Sequence, residues 1–133
     1  RIVAGGNVPV KTDDRLLEMD YGPYEGMDLR KPVPEVVTFF SDFARNPAPA
    51  GMEQLSSVTA RAGRFIEDVA RSSGERILVS THAILMKGIL EYLTPDSRGS
   101  YWSKFIGNCA VYQCVWRDGA FSVPVEVVDA ERG

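Results

Sequence analysis

Residues 75–93 read ERILVSTHAILMKGILEYL. The apolar triplet within residues 76–80 has no polar interruption, which is typical of a strand buried on both faces of a parallel sheet. Thr-His-Ala follows directly at 81–83, and the apolar residues after it recur at helical spacing until Pro95. The segment therefore predicts a strand, a tight turn and a helix.

Two further helices are predicted N-terminal to this segment. Pro32 and Pro34 open the first near Glu35; its apolar residues have helical spacing, and it ends before the proline-rich loop at 46–49. The second runs from about Leu55 to Ser72 and has one apolar face. Residues 12–26 alternate polar and apolar side chains around glycines, which indicates a long ordered loop.

The C-terminal part has the composition of strands. Residues 108–116 and 121–128 are rich in β-branched and aromatic residues, and the Asp-Gly pair between them is a strong hairpin signal. Residues 8–11 are another short strand candidate, and Pro124 should place the last strand at an edge. Helices alternating with a buried strand, followed by a hairpin, predict an α/β layered sheet.

Length and charge restrict the class of protein. The chain has 133 residues and a net charge of −3, with 44% hydrophobic residues, which suits one compact soluble core. Its longest Lys/Arg run is Arg30-Lys31, so we expect no nucleic-acid partner. No apolar stretch approaches the roughly 20 residues that span a bilayer, so we expect no membrane partner. The predicted class is a soluble globular domain.

Both cysteines fall within the predicted strand at 108–116. Cys109 and Cys114 are five residues apart, which in one strand puts their side chains on opposite faces and about 16 Å apart. They cannot bridge each other there. Free thiols suit a reducing compartment, so the sequence predicts a cytoplasmic protein.

The start of the chain is unusual. Residues 1–4 followed by Gly5-Gly6 look like the last turn of a helix with a glycine cap, without the body of that helix. No initiator Met is present. We therefore expect a chain whose beginning is missing, with a processed or tagged chain that has a frayed terminus as the alternative.

His82 is the single histidine of the sequence. It stands at the carboxyl end of the predicted buried strand, where open α/β sheets bind ligands. It also stands at a helix N-terminus, whose free N–H groups attract phosphate or carboxylate. A lone histidine is more often a structural residue, but this position favours function.

Glu18 lies in the segment RLLEMDYGPYEG, residues 15–26. A carboxyl group beside a bound phosphoryl group could be held protonated and act as a general acid. From the segment alone, a loop carboxylate that is hydrogen-bonded to backbone amides is the more common case. One histidine without a close cysteine pair falls short of a zinc set, and the chain lacks the G-x-S-x-G and G-x-G-x-x-G patterns. No metal or cofactor is therefore predicted.

These residues resemble the histidine phosphatase superfamily, also called the phosphoglycerate mutase-like family. Its loop pattern L-x-E-x-x-x-G-x-x-E-G matches residues 16–26, and its strand with an S-H-G turn matches residues 77–83. Its G-E-S…R helix entry is matched by Gly51, Glu53 and Arg61. With the strand at 108, the matches cover nearly the whole chain in the expected order.

The resemblance implies a three-layer α/β sheet of the phosphoglycerate mutase-like type, with helices on both faces. In that family the nucleophile is a histidine in an R-H-G motif after the first strand. This chain has no R-H-G and no second histidine. Residues 1–133 would therefore be the C-terminal portion of a single histidine phosphatase domain, without its N-terminal strand and helix.

The resemblance also implies roles for individual residues. Glu18 corresponds to the proton donor, and His82 to the second histidine, which holds the phosphoryl group in the transition state. Ala83 stands where the family has glycine and can still offer its N–H to phosphate. Tyr21 and Tyr24 could line the leaving-group side of the site or pack under the loop.

Two features indicate the phosphatase branch of the family. Glu18 and His82 are 64 residues apart, which is short for the mutases, and Ile84 stands where mutases have a polar substrate contact. Smaller departures are Gln54 for the usual serine and Lys87 for the usual arginine.

The expected function is therefore a phosphomonoester hydrolase that acts through a phosphohistidine on a small phosphorylated substrate. The chain alone would be inactive and would need the missing N-terminal segment of the same protein as its partner; a homodimer is left open. The alternative is a non-catalytic interaction module, or an inactive fragment, that keeps the fold. A nucleotide-binding regulatory domain would require a glycine-rich phosphate loop, which the sequence lacks.

Overall fold

The computed structural model describes residues 3–128. This part of the chain contains three α-helices and four short strands. The helices are α1 (Pro34–Ser41), α2 (Leu55–Ala70) and α3 (Ala83–Leu93). The strands are β1 (Val111–Gln113), β2 (Trp116–Arg117), β3 (Ala120–Phe121) and β4 (Val125–Val127). The chain is thus a mixed α/β protein.

The core lies between α2 and α3. The two helices approach closely at Gly88, where an added Cβ would lie 3.0 Å from the Cγ1 atom of Val58. Apolar side chains from the loops and from α1 close this core: Met19 of a loop and Phe39 of α1 are 2% and 1% exposed. Burying one such side chain stabilises the fold by about 1.5–3 kcal/mol. The three helices predicted from apolar spacing are confirmed.

The C-terminal hairpin is confirmed as well. Strands β2 and β3 pair antiparallel, and β1 pairs with β4 outside them. Asp118 and Gly119 take φ values of 53° and 79°, as a two-residue turn between twisted strands requires. The single strand predicted over 108–116 is wrong at its ends, because Cys109 adopts a φ of 60° and β1 stops at Gln113. Both cysteines are free thiols.

The buried strand predicted over residues 76–80 is not observed. Residues 77–82 belong to no strand in the described part of the chain, and Ile77 and Leu78 are 47% and 72% exposed. The two strand pairs of that part are both antiparallel. The apolar triplet indicates a segment suited to burial, but a strand forms only where another strand completes its hydrogen bonds, and none lies beside it within residues 3–128.

Two N-terminal expectations have different outcomes. The strand candidate at 8–11 is absent, and Val8 and Val10 are exposed. Of the expected helix turn, Arg1 and Ile2 lie outside the described residues, while Gly5 has a φ of 66°, as a glycine that ends a helix would. No helix within residues 3–128 has the length and apolar character to cross a bilayer.

Candidate active site

The loop that carries Glu18 is ordered by two single turns of 3-10 helix, Asp14–Leu16 and Gly22–Tyr24. The side chain of Asp13 caps the first turn by accepting a hydrogen bond from the N–H of Arg15 at 2.9 Å. Met19, next to Glu18, is buried in the core. The loop therefore holds Glu18 on an anchored backbone.

The Glu18 carboxylate sits at the N-terminus of α3. Its Oε1 atom accepts hydrogen bonds from the N–H groups of Leu85 at 3.0 Å and Met19 at 2.9 Å, and its Oε2 atom accepts from Ile84 at 3.1 Å. The first N–H groups of a helix have no partner inside the helix, and its N-terminal end is electropositive. Glu18 supplies both the acceptors and the negative charge.

His82 is the residue that precedes this helix. Its φ and ψ angles are −108° and 167°, and its carbonyl oxygen accepts the N–H of Met86 at 2.9 Å. Its side chain is exposed and makes no capping hydrogen bond. Thr81 donates from Oγ1 to the carbonyl oxygen of Leu16 at 2.7 Å, which ties the two segments together. The structure thus brings the turn of His82 against the loop of Glu18.

Ala83 is the first residue of α3. In the described part of the chain its N–H has no hydrogen-bond acceptor, whereas those of Ile84 and Leu85 are taken by Glu18. This free N–H belongs to the residue between His82 and Ile84, whose own N–H donates to Glu18.

Arg61 of α2 holds the other side of the loop. Its guanidinium forms a two-point ion pair with Glu53, with Nε to Oε2 at 3.0 Å and Nη2 to Oε1 at 2.8 Å. It also donates to the carbonyl oxygens of Arg15, Leu17 and Glu18 at 3.0, 2.7 and 3.2 Å. Arg61 and Glu53 both belong to the sequence pattern, but the pattern does not indicate that Arg61 binds the loop. Those hydrogen bonds join Arg61 to residues that lie 43 to 46 positions earlier in the chain.

Lys87 lies one turn into α3. Its Nζ donates to the carbonyl oxygen of Trp102 at 3.1 Å and lies 4.8 Å from the centroid of the Phe43 ring. Burial lowers the pKa of Lys87, and the negative charge of Glu18 acts in the opposite direction. Lys87 is therefore a half-buried cation in the N-terminal half of α3, held by Trp102 and Phe43, a feature that the substitution of lysine for the family's arginine did not reveal.

Tyr21 and Tyr24 are half-buried and pack against the core. Burial, together with the negative charges of Glu18 and Glu25, raises the pKa of Tyr21 to about 12. Tyr21 is therefore an uncharged hydroxyl at neutral pH. The centroid of the Tyr21 ring lies 6.0 Å from that of the Phe40 ring, so Tyr21 packs against an aromatic side chain of α1.

Comparison with known proteins identifies the class. The model of the histidine phosphatase superfamily (branch 1) matches residues 1–127, and the chain belongs to that superfamily. It is 27% identical over 105 residues to "Putative phosphoserine phosphatase 2" and 26% identical over 106 residues to "Phosphoserine phosphatase 1", both of Hydrogenobacter thermophilus. These matches cover 74% and 77% of this chain and 50% of each relative. The chain thus spans about half the length of the curated relatives it matches.

Proposed function

We propose that these residues form the acid–base and phosphate-holding half of a phosphomonoester hydrolase that works through a phosphohistidine. The observation that supports this most is the seating of the Glu18 carboxylate on the N-terminus of α3, beside His82. A proton donor must come within hydrogen-bond reach of the leaving oxygen, and this contact holds Glu18 at a helix end suited to phosphate.

The reaction has two displacements. A nucleophilic histidine, supplied by a segment N-terminal to these residues in the same polypeptide, attacks phosphorus, and the bond to the leaving oxygen breaks as Glu18 gives that oxygen its proton. Water then attacks phosphorus and gives a proton to Glu18, and the P–N bond breaks to release phosphate. His82 and the N–H of Ala83 stabilise the charge on the phosphoryl oxygens in both steps.

Glu18 changes partners during this cycle. In the structure both of its oxygens accept backbone N–H groups, the contacts that an ionised carboxylate makes. A phosphoryl group that binds at the N-terminus of α3 takes over those donors. Glu18, still fixed through its backbone, then takes up a proton from water beside the negative phosphoryl group and gives it to the leaving oxygen.

The proposed substrate is a small phosphorylated metabolite, and phosphoserine is the first to test, because both relatives are named phosphoserine phosphatases. Tyr21 and Tyr24 would line the leaving-group side, where Tyr21 can donate a hydrogen bond without carrying charge. Protein and aryl phosphates are the comparison substrates. The proposed location is the cytoplasm.

The proposed partner is an N-terminal strand of the same polypeptide, paired along residues 77–80. Ile77 and Leu78 are exposed just before His82, and a strand placed there would cover them and bring its own end next to His82. We expect residues 1–133 expressed alone to be unstable, because without that strand the apolar side chains of Ile77 and Leu78 stay exposed and their burial contributes nothing to the fold. A soluble monomer with a cooperative thermal transition would contradict this part of the proposal.

The function is tested with the full-length polypeptide. Phosphoserine hydrolysis should be measurable, and quenching with alkali during turnover with ³²P-labelled substrate should trap a phosphohistidine, which survives alkali but not acid. The Glu18→Gln variant should still be labelled from an activated aryl phosphate but should turn over phosphoserine slowly. A polypeptide without an R-H-G histidine, or without hydrolysis and labelling, would support the non-catalytic interaction module instead.

A further inference from the structure

The guanidinium of Arg61 uses all three of its nitrogens at once. It makes a two-point contact with Glu53 and donates to three backbone carbonyl oxygens. The side chains of Arg61 and Glu53 are only 14% and 15% exposed, so the pair is shielded from water and from competing ions. The Arg61–Glu53 pair is therefore a largely buried ion pair and not a surface one.

The contacts of this pair surround Glu18 in the chain. Arg61 binds the carbonyl oxygens of residues 15, 17 and 18. Glu53 binds the far side, because its own N–H donates to the carbonyl oxygen of Asp20 at 2.8 Å and its Oε1 accepts from the N–H of Asp20 at 3.4 Å. The backbone is therefore tied to α2 before Glu18 and to the loop just before α2 after it, while the carboxylate reaches across to α3.

A lysine could not replace Arg61 in this role. Its ammonium is a single point with three donors, whereas the planar guanidinium presents five N–H groups that can serve a carboxylate and several carbonyls together. If Arg61 positions the loop, lysine cannot substitute for it; if only a positive charge is needed, lysine can.

From these contacts we propose that Arg61 and Glu53 are positioning residues, which set where the Glu18 carboxylate stands relative to α3 and hence to the leaving oxygen. The assignment of that oxygen rests on the proposed function. The placement of the Glu18 carboxylate on α3 does not depend on that function, so the positioning role and the proposed function can fail separately.

The first experiment measures whether the Glu18 carboxylate stays on the N-terminus of α3, and it does not depend on enzymatic activity. In the full-length polypeptide, hydrogen exchange is followed at the N–H groups of Ile84 and Leu85, which donate to Glu18, and of Met86, which donates to His82. In Arg61→Lys we expect faster exchange at Ile84 and Leu85 and an unchanged rate at Met86. An equal change at all three would mean that the helix end melts, and no change at any would mean that Glu18 keeps its place; either result overturns the proposal.

The second experiment reads out proton donation. p-Nitrophenolate leaves without a proton, whereas the serine alkoxide of phosphoserine needs one. We expect Arg61→Lys and Arg61→Met to lower turnover of phosphoserine roughly tenfold to a hundredfold more than that of p-nitrophenyl phosphate, because general acid catalysis contributes about 10²–10⁴-fold. A merely structural role would lower both rates equally, which would overturn the proposal.

Arg64→Met is the matched control. Arg64 is exposed on the same helix and makes no hydrogen bond or ion pair within residues 3–128, so its loss should leave exchange and the substrate ratio unchanged. If Arg61→Met does not fold, the lysine variant and Glu53→Gln decide the question. If the wild type hydrolyses neither substrate, the proposed function fails while the exchange experiment still tests the seating.

Discussion

The Oε1 atom of Glu18 and the backbone N–H of Leu85 lie 3.0 Å apart, although 67 residues separate them in the sequence. This hydrogen bond joins a loop with no α-helix or strand of its own to the first turn of α3. It satisfies a helix N–H that would otherwise lack an acceptor and places a carboxylate beside the electropositive helix end. The same contact therefore stabilises the fold and, until a phosphoryl group displaces it, holds the proposed proton donor at this helix end.

Replacing Glu18 should separate these two effects. Glu18→Ala removes the acceptors of Ile84 and Leu85 and should lower the free energy of unfolding by about 0.5–2 kcal/mol, as the loss of a helix cap does. Glu18→Gln keeps one acceptor oxygen and should lower it less. Both should slow phosphoserine hydrolysis by about 10²–10⁴-fold. Urea unfolding and steady-state kinetics measure these quantities, and a glutamine variant with wild-type turnover would refute the acid–base role.

His82→Ala should affect activity and not stability. The imidazole is exposed and makes no capping hydrogen bond, so we expect the free energy of unfolding to change by no more than about 0.5 kcal/mol. Loss of a group that stabilises charge in the transition state should lower turnover by about 10²–10³-fold. A melting temperature that falls together with activity would instead indicate a structural histidine.

Gly22→Ala and Gly26→Ala form a matched pair. Both glycines have positive φ, 56° and 72°, so each substitution incurs the left-handed strain of about 1–2 kcal/mol. A Cβ at Gly22 would also lie 2.0 Å from the carbonyl oxygen of Gly51, whereas nothing lies within 4 Å at Gly26. Gly22→Ala should therefore destabilise the protein more in denaturant unfolding. Equal losses would show that the loop shifts freely away from Gly51.

Stability should fall in acid as Asp13 is protonated. Hydrogen bonds from the Arg15 side chain and backbone lower the pKa of Asp13 to about 2, from an ordinary value near 3.9. The folded protein thus binds this proton more weakly than the unfolded chain does. The stabilisation is complete above about pH 4 and is lost as the pH falls towards 2.

The corresponding measurement compares unfolding of the wild type and Asp13→Asn between pH 6 and pH 2. The difference in free energy should be largest near neutrality and should shrink in acid. Asp14→Asn is the control, because Asp14 is exposed and forms no ion pair in the described part of the chain. A constant difference across the range would mean that the Arg15 contact does not persist in solution.

Much of the local structure could be predicted from the sequence. Apolar spacing located α2 and α3, the Asp-Gly pair located the β2–β3 turn, and the loop pattern around Glu18 indicated the superfamily. These features depend on neighbours within a few residues, since helix periodicity and turn geometry are local properties of the backbone.

Long-range contacts needed the folded chain. The apolar triplet at 77–79 shows only that this segment is suited to burial; whether it becomes a strand depends on another strand that completes its hydrogen bonds, and within residues 3–128 none does. Likewise, an acid in a glycine-rich loop has many available partners. Packing of α2 against α3 brings Arg61 and the first turn of α3 to the two sides of one loop, and this selects the partners of Glu18. Helix periodicity and turn geometry depend on residues that are neighbours in the sequence. Strand pairing and the assembly of the site join residues that are distant in the sequence, and only the folded chain decides which of them meet.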